Sequence, residues 1–355
     1  MIKNVLSMLV DELASAALRR SGYALTCDYS IKDIHLNLKD VEVVELGKPN
    51  SRYEVLALDV ASATIHIGGG EVALAAGCIV GKKLVTYPSL IRGSTEGPPF
   101  IGAPIMRELS LITNKYIMLG VRYSDDPDLP EGALTHDVRI ALETHLIQEA
   151  SRALTKSGLL LVDGPIHYPI THPKEGTIWN IEIEKLNESR VKAMYEVLED
   201  GLLPISIVKR VWGSKHLAKK VGLSSTRDVA LIESMISTRY EKLSKPLMIG
   251  PLTIVEHGIK KALTYIAVPT SKYSKIFTIF RVEMLKDVVD ALENKLTDII
   301  SSLAHSTIHY GTSLPYKLEI ADSVSKELTA GMASLIEMLL KIKGVPVLYG
   351  GVSIG

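Results

Sequence analysis

A chain of 355 residues, 46% of them hydrophobic, is long enough for one large domain and too apolar to be disordered throughout. Lys and Arg total 40, as do Asp and Glu, so there is no histone-like coat of positive charge, while a local basic groove beside an acidic site stays open. Its two cysteines, Cys27 and Cys78, lie outside any CxxC pair, which argues against a structural zinc site and suits a reducing cytoplasm.

Residues 1–20 predict an amphipathic helix, because Asp11 and Glu12 break the apolar run that a signal peptide would need. The chain contains no uncharged apolar run of about 18 residues, so no membrane span is expected. Tyr53 leads into residues 54–67, which are β-branched-rich and apolar like a buried strand. Gly68, Gly69 and Gly70 then supply a turn, and 71–80 returns as a second strand. A Gly/Pro-rich loop at 92–104, a third strand near 115–123 and a loop at 124–132 follow. Apolar residues at helical spacing predict a long helix over 134–157 that stops at Gly158, with a short buried strand and turn over 158–165. Beyond it lie a helix (186–200), a strand (204–211) and two helices (214–221 and 228–240). A small antiparallel set is expected from LMIGPLTIV, ALTYIAV and IFTIFRVEML, then amphipathic helices over 284–305 and 320–342. With no repeat and no clear boundary, the chain reads as a single domain, a helix at 1–20 and a core at 53–355. A single Gln (Gln148) and seven Asn fit the composition of a thermophile.

Three acidic residues stand out by position. Asp59 lies inside the first apolar strand, Glu149 on the long helix and Asp163 at the end of the strand that follows it. A carboxylate in an apolar strand is costly unless its charge is offset, and a hard divalent cation does that with oxygen ligands. Such ions activate water and stabilise the leaving oxygen of a phosphodiester. Strand Asp, helix Glu and second-strand Asp can meet at one sheet edge in an RNase H-like layout. Asp163-Gly164 also reads as a turn and Glu149 as a solvated helix residue, and the residues alone leave both readings open.

Lys209, Arg210, Lys215, Lys219 and Lys220, with Trp212 and His216 interleaved, form the densest basic stretch. It reads either as a groove for a phosphate backbone with an aromatic for stacking, or as a solvated face. The glycine triplet lacks the following Gly-Lys-Ser/Thr of a phosphate loop, and His145 with Glu149 lacks an HExxH context. His305 and His309 are further candidates for phosphate contact.

Several short blocks, in order, resemble the archaeal NurA nucleases. The family's first-strand motif, close to Ile-Asp-Gly-Gly-Ser, reads here Leu58-Asp59-Val60-Ala61-Ser62. Its helix motif, Glu followed after three residues by Ala-Leu, reads Glu149-Ala150-Ser151-Arg152-Ala153-Leu154, and the next strand ends Leu161-Val162-Asp163-Gly164-Pro165-Ile166. PISIVKRVWGSKHLAKK with Arg227-Asp228 is similar to a mid-chain block in which a strand carries a Lys and an Asp comes later. Near the C-terminus the family has Gly-Tyr-Pro-x-Pro-Leu, then Ala-His. Here the stretch reads Ser313-Leu314-Pro315-Tyr316-Lys317-Leu318, then Ala321-Asp322.

The resemblance implies an α/β fold, an RNase H-like mixed sheet flanked by helices with helical and β insertions. It implies Asp59, Glu149 and Asp163 as catalytic metal ligands, with Asp322 as a fourth where the family has His. The metal would be two Mn²⁺ or Mg²⁺ ions, and Lys209, Arg210, Trp212, Lys215 and Tyr316 would contact DNA. It further implies 5′–3′ exonuclease and single-strand endonuclease activity in end resection for recombinational repair, a homodimer, and a HerA-type hexameric motor as partner. Departures at Val60, Ala61, Leu314 and Asp322 keep a second reading, a subunit that binds DNA or a motor without cutting. A third is an actin- or sugar-kinase-like ATPase, which also opens on an Asp-bearing strand and a glycine hairpin. It would need a second Asp-Gly phosphate loop, with Asp163-Gly164 as candidate, and a Gly-Gly near the adenosine, with Gly350-Gly351 as candidate.

Overall fold

The structure, a computed structural model, describes residues 41–67, 70–89, 100–104, 117–120, 132–153, 158–169, 178–240, 243–270, 277–292, 295–344 and 347–354. The expected helix at 1–20, Cys27 and the Gly68–Gly69 turn lie outside them. The described elements run β1 (Val43–Glu45), β2 (Val55–Ile67), β3 (Gly70–Val80), β4 (Leu84–Tyr87), β5 (Ile101–Pro104), β6 (Ile117–Gly120), α1 (Ala133–Ala153) and β7 (Gly158–Asp163). They continue with α2 (Ile178–Glu199), β8 (Leu202–Val208), α3 (His216–Lys220), α4 (Asp228–Arg239), β9 (Leu247–Glu256), β10 (Ile259–Pro269) and β11 (Phe277–Leu285). The last are α5 (Lys286–Leu292), α6 (Leu296–Tyr310), α7 (Tyr316–Ile342) and β12 (Val347–Ile354). They fall into two compact units, one of Arg52–Ile207 with Leu314–Gly355, the other of Val208–Ser313 with the described residues up to Ser51.

The first of these units is built on β2. Strand β3 pairs with it antiparallel along its whole length, from Ala57↔Val80 to Ile67↔Gly70. On its other edge β2 has two partners in succession. Strand β7 pairs in parallel with Val55–Leu58, and β12 pairs antiparallel from Ala63 to Ile67. Strand β8 continues parallel to β7, β5 lies antiparallel to β3, and β6 lies parallel to β5. The order β5-β3-β2-β7-β8, antiparallel hairpin first and parallel strands after, is the RNase H-like arrangement expected from the sequence.

Helices cover this sheet. Ala63, Ile65 and Leu74 pack against Ala333 of α7 in one cluster, Cys78 and Val80 against Ala321 in another. Helix α1 packs on the sheet as well, close enough that a Cβ at Gly77 would meet Leu146 at 2.7 Å and Val60 at 2.6 Å. Helix α1 is also held by α2 through Ile140, Ile183 and Tyr168. Being covered on two sides, α1 buries polar as well as apolar residues, Asp137 and Glu143 among them.

The other unit holds the antiparallel set β1-β9-β10-β11. A two-residue turn joins β9 to β10, with His257 at φ 50° and Gly258 at φ 75°, the left-handed pair that a tight hairpin needs. Leu217, Leu231, Ile232, Ile249, Leu263 and Tyr265 belong to its core. Asp228, fully buried, accepts from the Ala218 backbone N–H at 2.8 Å and from the hydroxyls of Ser214 and Tyr265. Arg281 donates to Ser214 at 2.8 Å and to Glu283 at 2.6 Å, and Glu283 also takes the Lys261 amine at 3.0 Å. Every charge in this buried net has a partner, as the cost of burial requires.

Several boundaries differ from the sequence expectation. The helix expected at 284–305 is the end of β11 followed by α5 and α6. Gly158 opens β7, and the described part of α1 ends at Ala153. Strand β8 stops at Val208, so Lys209 follows the strand. Helix α2 begins at Ile178, earlier than expected, and β5 falls within the stretch read as a loop. Gly350 and Gly351 lie in β12, within a strand rather than a loop.

Candidate metal centre

Asp59 sits on β2 just past the last residue paired with β7, at the point where the partner strand changes. Leu58 is in register with Val162, so the next step on each strand is Asp59 on β2 and Asp163 on β7. On parallel strands at equal register both carboxylates leave the sheet on the same side. Helix α7 brings the third, Asp322. One carboxylate oxygen from each of Asp59, Asp163 and Asp322 lies within 4.8 Å of the other two. Asp59 and Asp163 are buried and Asp322 is half-buried.

These three carboxylates, on three separate elements, are a donor set that a hard divalent cation fits: oxygen only, converging, and costly to bury together without positive charge nearby. The site has neighbours that hold it in shape. The Ser325 hydroxyl, one turn beyond Asp322, donates to Asp59 Oδ2. Farther along α7, Thr329 donates to the Ala61 carbonyl at 3.1 Å. The Lys326 amine lies 2.7 Å from Asp322 Oδ2, and Arg139 Nη2 of α1 lies 3.6 Å from Asp163 Oδ2. Cys78, directly across from Asp59 on β3, has its thiol pushed up to about 12 by burial and then by the Asp59 charge, so it remains a protonated thiol.

The helix carboxylate expected here, Glu149, is not brought to the group. Its Oε1 pairs with Arg152 at 2.5 Å and lies 4.0 Å from His145, on a partly exposed stretch of α1. Of the two buried acids of that helix, Asp137 and Glu143, the nearer is Glu143, six residues earlier and so about 240° away around the axis. Glu143 accepts from Arg139 Nε at 3.0 Å, Arg190 Nη1 at 2.6 Å and the Tyr168 hydroxyl at 2.9 Å. Burial, then the Glu143 charge, raises the Tyr168 phenol well above its ordinary value, so it donates as a neutral hydroxyl. Arg190 also donates to the Asp163 carbonyl at 3.3 Å, which fixes the end of β7. Arg139, Glu143, Arg190, Ser325 and Lys326 all escaped the sequence reading. The available signal was spacing: Arg139 and Glu143 at i,i+4, and Ser325 one turn after Asp322.

The residues expected to contact DNA fall into both units. Lys209 is half-buried just after β8, Arg210 and Lys215 are exposed, and Trp212 presents 68% of its surface. Tyr316 opens α7 and is half-buried, six residues before Asp322 and therefore on another side of the helix. Leu314 is buried.

No protein-family profile matches the chain, and no curated protein matches it. Among solved structures, the crystal structure of the NurA nuclease from Sulfolobus solfataricus aligns with a TM-score of 0.51 at 13% identity, over 97% of this chain and 98% of that one. The chain has the NurA fold. Two other solved structures are similar, NurA with manganese (TM-score 0.49, 13% identity, 95% of this chain and 98% of that one) and NurA bound to dAMP and manganese (TM-score 0.46, 13% identity, 90% and 92%). The NurA-like fold agrees with the α/β, RNase H-like class expected from the sequence. No helix among the described residues is long and apolar enough to cross a membrane.

Proposed function

We propose that the chain is a divalent-metal-dependent nuclease acting on DNA, with Asp59, Asp163 and Asp322 as its metal ligands. The observation that carries this reading is the convergence of three carboxylates at one end of an RNase H-like sheet. The NurA fold supports it. Bound there, Mn²⁺ or Mg²⁺ would supply a water of lowered pKa and charge to offset the leaving oxygen. Asp59 would orient the ion from β2, with its Oδ2 steadied by Ser325. Asp163 would hold it from β7, where Arg190 fixes the backbone. Asp322, the half-buried member, would complete the set from α7. Lys209, Arg210, Trp212, Lys215 and Tyr316 are the proposed DNA contacts.

The finer reading is 5′–3′ exonuclease and single-strand endonuclease activity in end resection for recombinational repair, in a homodimer working with a HerA-type motor. It rests on the motif resemblance. The deciding experiment incubates the purified chain with end-labelled single- and double-stranded DNA, with and without Mn²⁺. Metal-dependent release of nucleotides is expected, and none from Asp59→Ala. No cleavage of either DNA by the wild-type chain would overturn the reading and leave the non-cutting subunit, which the ion pairs of Arg139 with Asp163 and Lys326 with Asp322 favour.

A further inference from the structure

Resting on the reading that the three aspartates hold a divalent cation, we propose that Arg139 occupies the place of a second ion, so that the site takes one metal. The guanidinium lies between two acids: Nη2 is 3.6 Å from Asp163 Oδ2, and Nε is 3.0 Å from Glu143 Oε1. It is not free to leave. Glu143 is completely buried and is itself fixed by Arg190 at 2.6 Å and the Tyr168 hydroxyl. Turning Arg139 out to solvent would strip a buried carboxylate of one of its two cations, the costly way to break a buried network. Lys326 is a different case. Its side chain is 49% exposed, and its amine can turn from Asp322 into water at little cost.

Charge gives the same answer. Glu143 is balanced by Arg190, which leaves the three aspartates and Arg139. One divalent ion with the guanidinium balances three carboxylates, whereas a second divalent ion would leave two positive charges in excess in a largely buried site. The donors agree as well: one oxygen from each carboxylate converges on a single point, a set that one hard cation would complete with water. Arg139 is thus a positioning residue. It holds Asp163 in place before metal arrives and sets how many ions follow.

The test is Mn²⁺ titration of the full chain by calorimetry, with electron paramagnetic resonance to detect coupled ions. Wild type is expected to bind one Mn²⁺ per chain with an uncoupled six-line signal, and Asp59→Asn none at this site. Arg139→Gln, which removes the cation, is expected to bind Mn²⁺ about tenfold more tightly or to admit a second, coupled ion. Arg139→Lys, which keeps a cation, is expected to stay at one. Two coupled ions in wild type would overturn the proposal and leave the nuclease reading intact. So would an Arg139→Gln chain that folds but binds Mn²⁺ like wild type. No Mn²⁺ binding by wild type would overturn both. Should Arg139→Gln fail to fold, the wild-type count still decides.

Discussion

Asp59 and Asp163 stand side by side on neighbouring parallel strands, one step beyond the pair Leu58↔Val162. Strand β7 ends there and β12 joins β2 only from Ala63 onward, so Asp59 faces the gap between two successive partners. Two buried like charges at such a spacing raise each other's cost, and the fold tolerates them only because cations lie within reach. Asp59→Asn is therefore expected to do two things at once. Metal-dependent DNA cleavage should fall by at least about a hundredfold while DNA binding in a gel-shift assay survives. In metal-free buffer the urea midpoint should hold or rise. Cleavage equal to wild type would remove Asp59 from the site.

Ser325 offers Asp59 a neutral donor, so Ser325→Ala separates shaping the site from charging it. Losing a group that orients a metal ligand costs about 10- to 100-fold in metal affinity. The expected result is a Mn²⁺ dissociation constant raised by about tenfold with stability lowered by about 1–2 kcal/mol. Ser325→Thr, which restores the hydroxyl, should recover most of the affinity. An unchanged constant in the alanine variant would mean that the hydroxyl does not steady Asp59.

Glu143 is fully buried with Arg190, also fully buried, and is not among the proposed metal ligands. Glu143→Leu would leave Arg190 as an uncompensated buried charge, a loss of about 3–5 kcal/mol. Glu143→Gln, which retains an acceptor for Arg190 but not the charge, should lose less. Urea denaturation followed by circular dichroism checks both. A loss below about 1 kcal/mol for the leucine variant would show that Arg190 finds another partner.

Burial, with the Arg139 charge beside it, lowers His136 from 6.5 to about 4. Between those values the unfolded chain binds a proton that the folded chain does not. The stabilisation is thus complete above about pH 6.5 and is lost progressively as pH falls toward 4. The urea midpoint should drop between about pH 7 and pH 5, and His136→Phe, which keeps a ring against Tyr168, should flatten that slope. His145 and His216, also lowered chiefly by burial, leave a residual slope. A variant with the parent's full pH dependence would clear His136 of the effect.

The core of the fold was legible because β2, β3 and β7 are apolar strands flanked by turn residues, with two of the three site carboxylates inside or at the end of them. Motif order added Asp322, which no periodicity would have picked from a helix whose exposed positions include Lys326 and Glu327. Which helix acids are buried was not legible, for a physical reason. Helix α1 is covered by the sheet and by α2, so apolar spacing marks no single inward face, and Glu143 and Asp137 could not be told from solvated acids. Strand β12 was missed because its glycines, Gly350 and Gly351, weaken strand patterning. The end of β11 was taken into a helix because Met284 and Leu285 suit either state.

Helix α7 is pinned to β2 by two hydroxyls a turn apart, Ser325 on Asp59 and Thr329 on the Ala61 carbonyl. Sliding the helix by one turn would carry Asp322 about 5.4 Å along its axis and break both pins together. The helix thus has one seat rather than a continuum of positions. Its seating also comes late, since α7 follows every other described helix. While the polypeptide is being made, the two strand aspartates can already lie together without the third, and the acidic cluster closes only when α7 has emerged and locked onto a strand synthesised long before it.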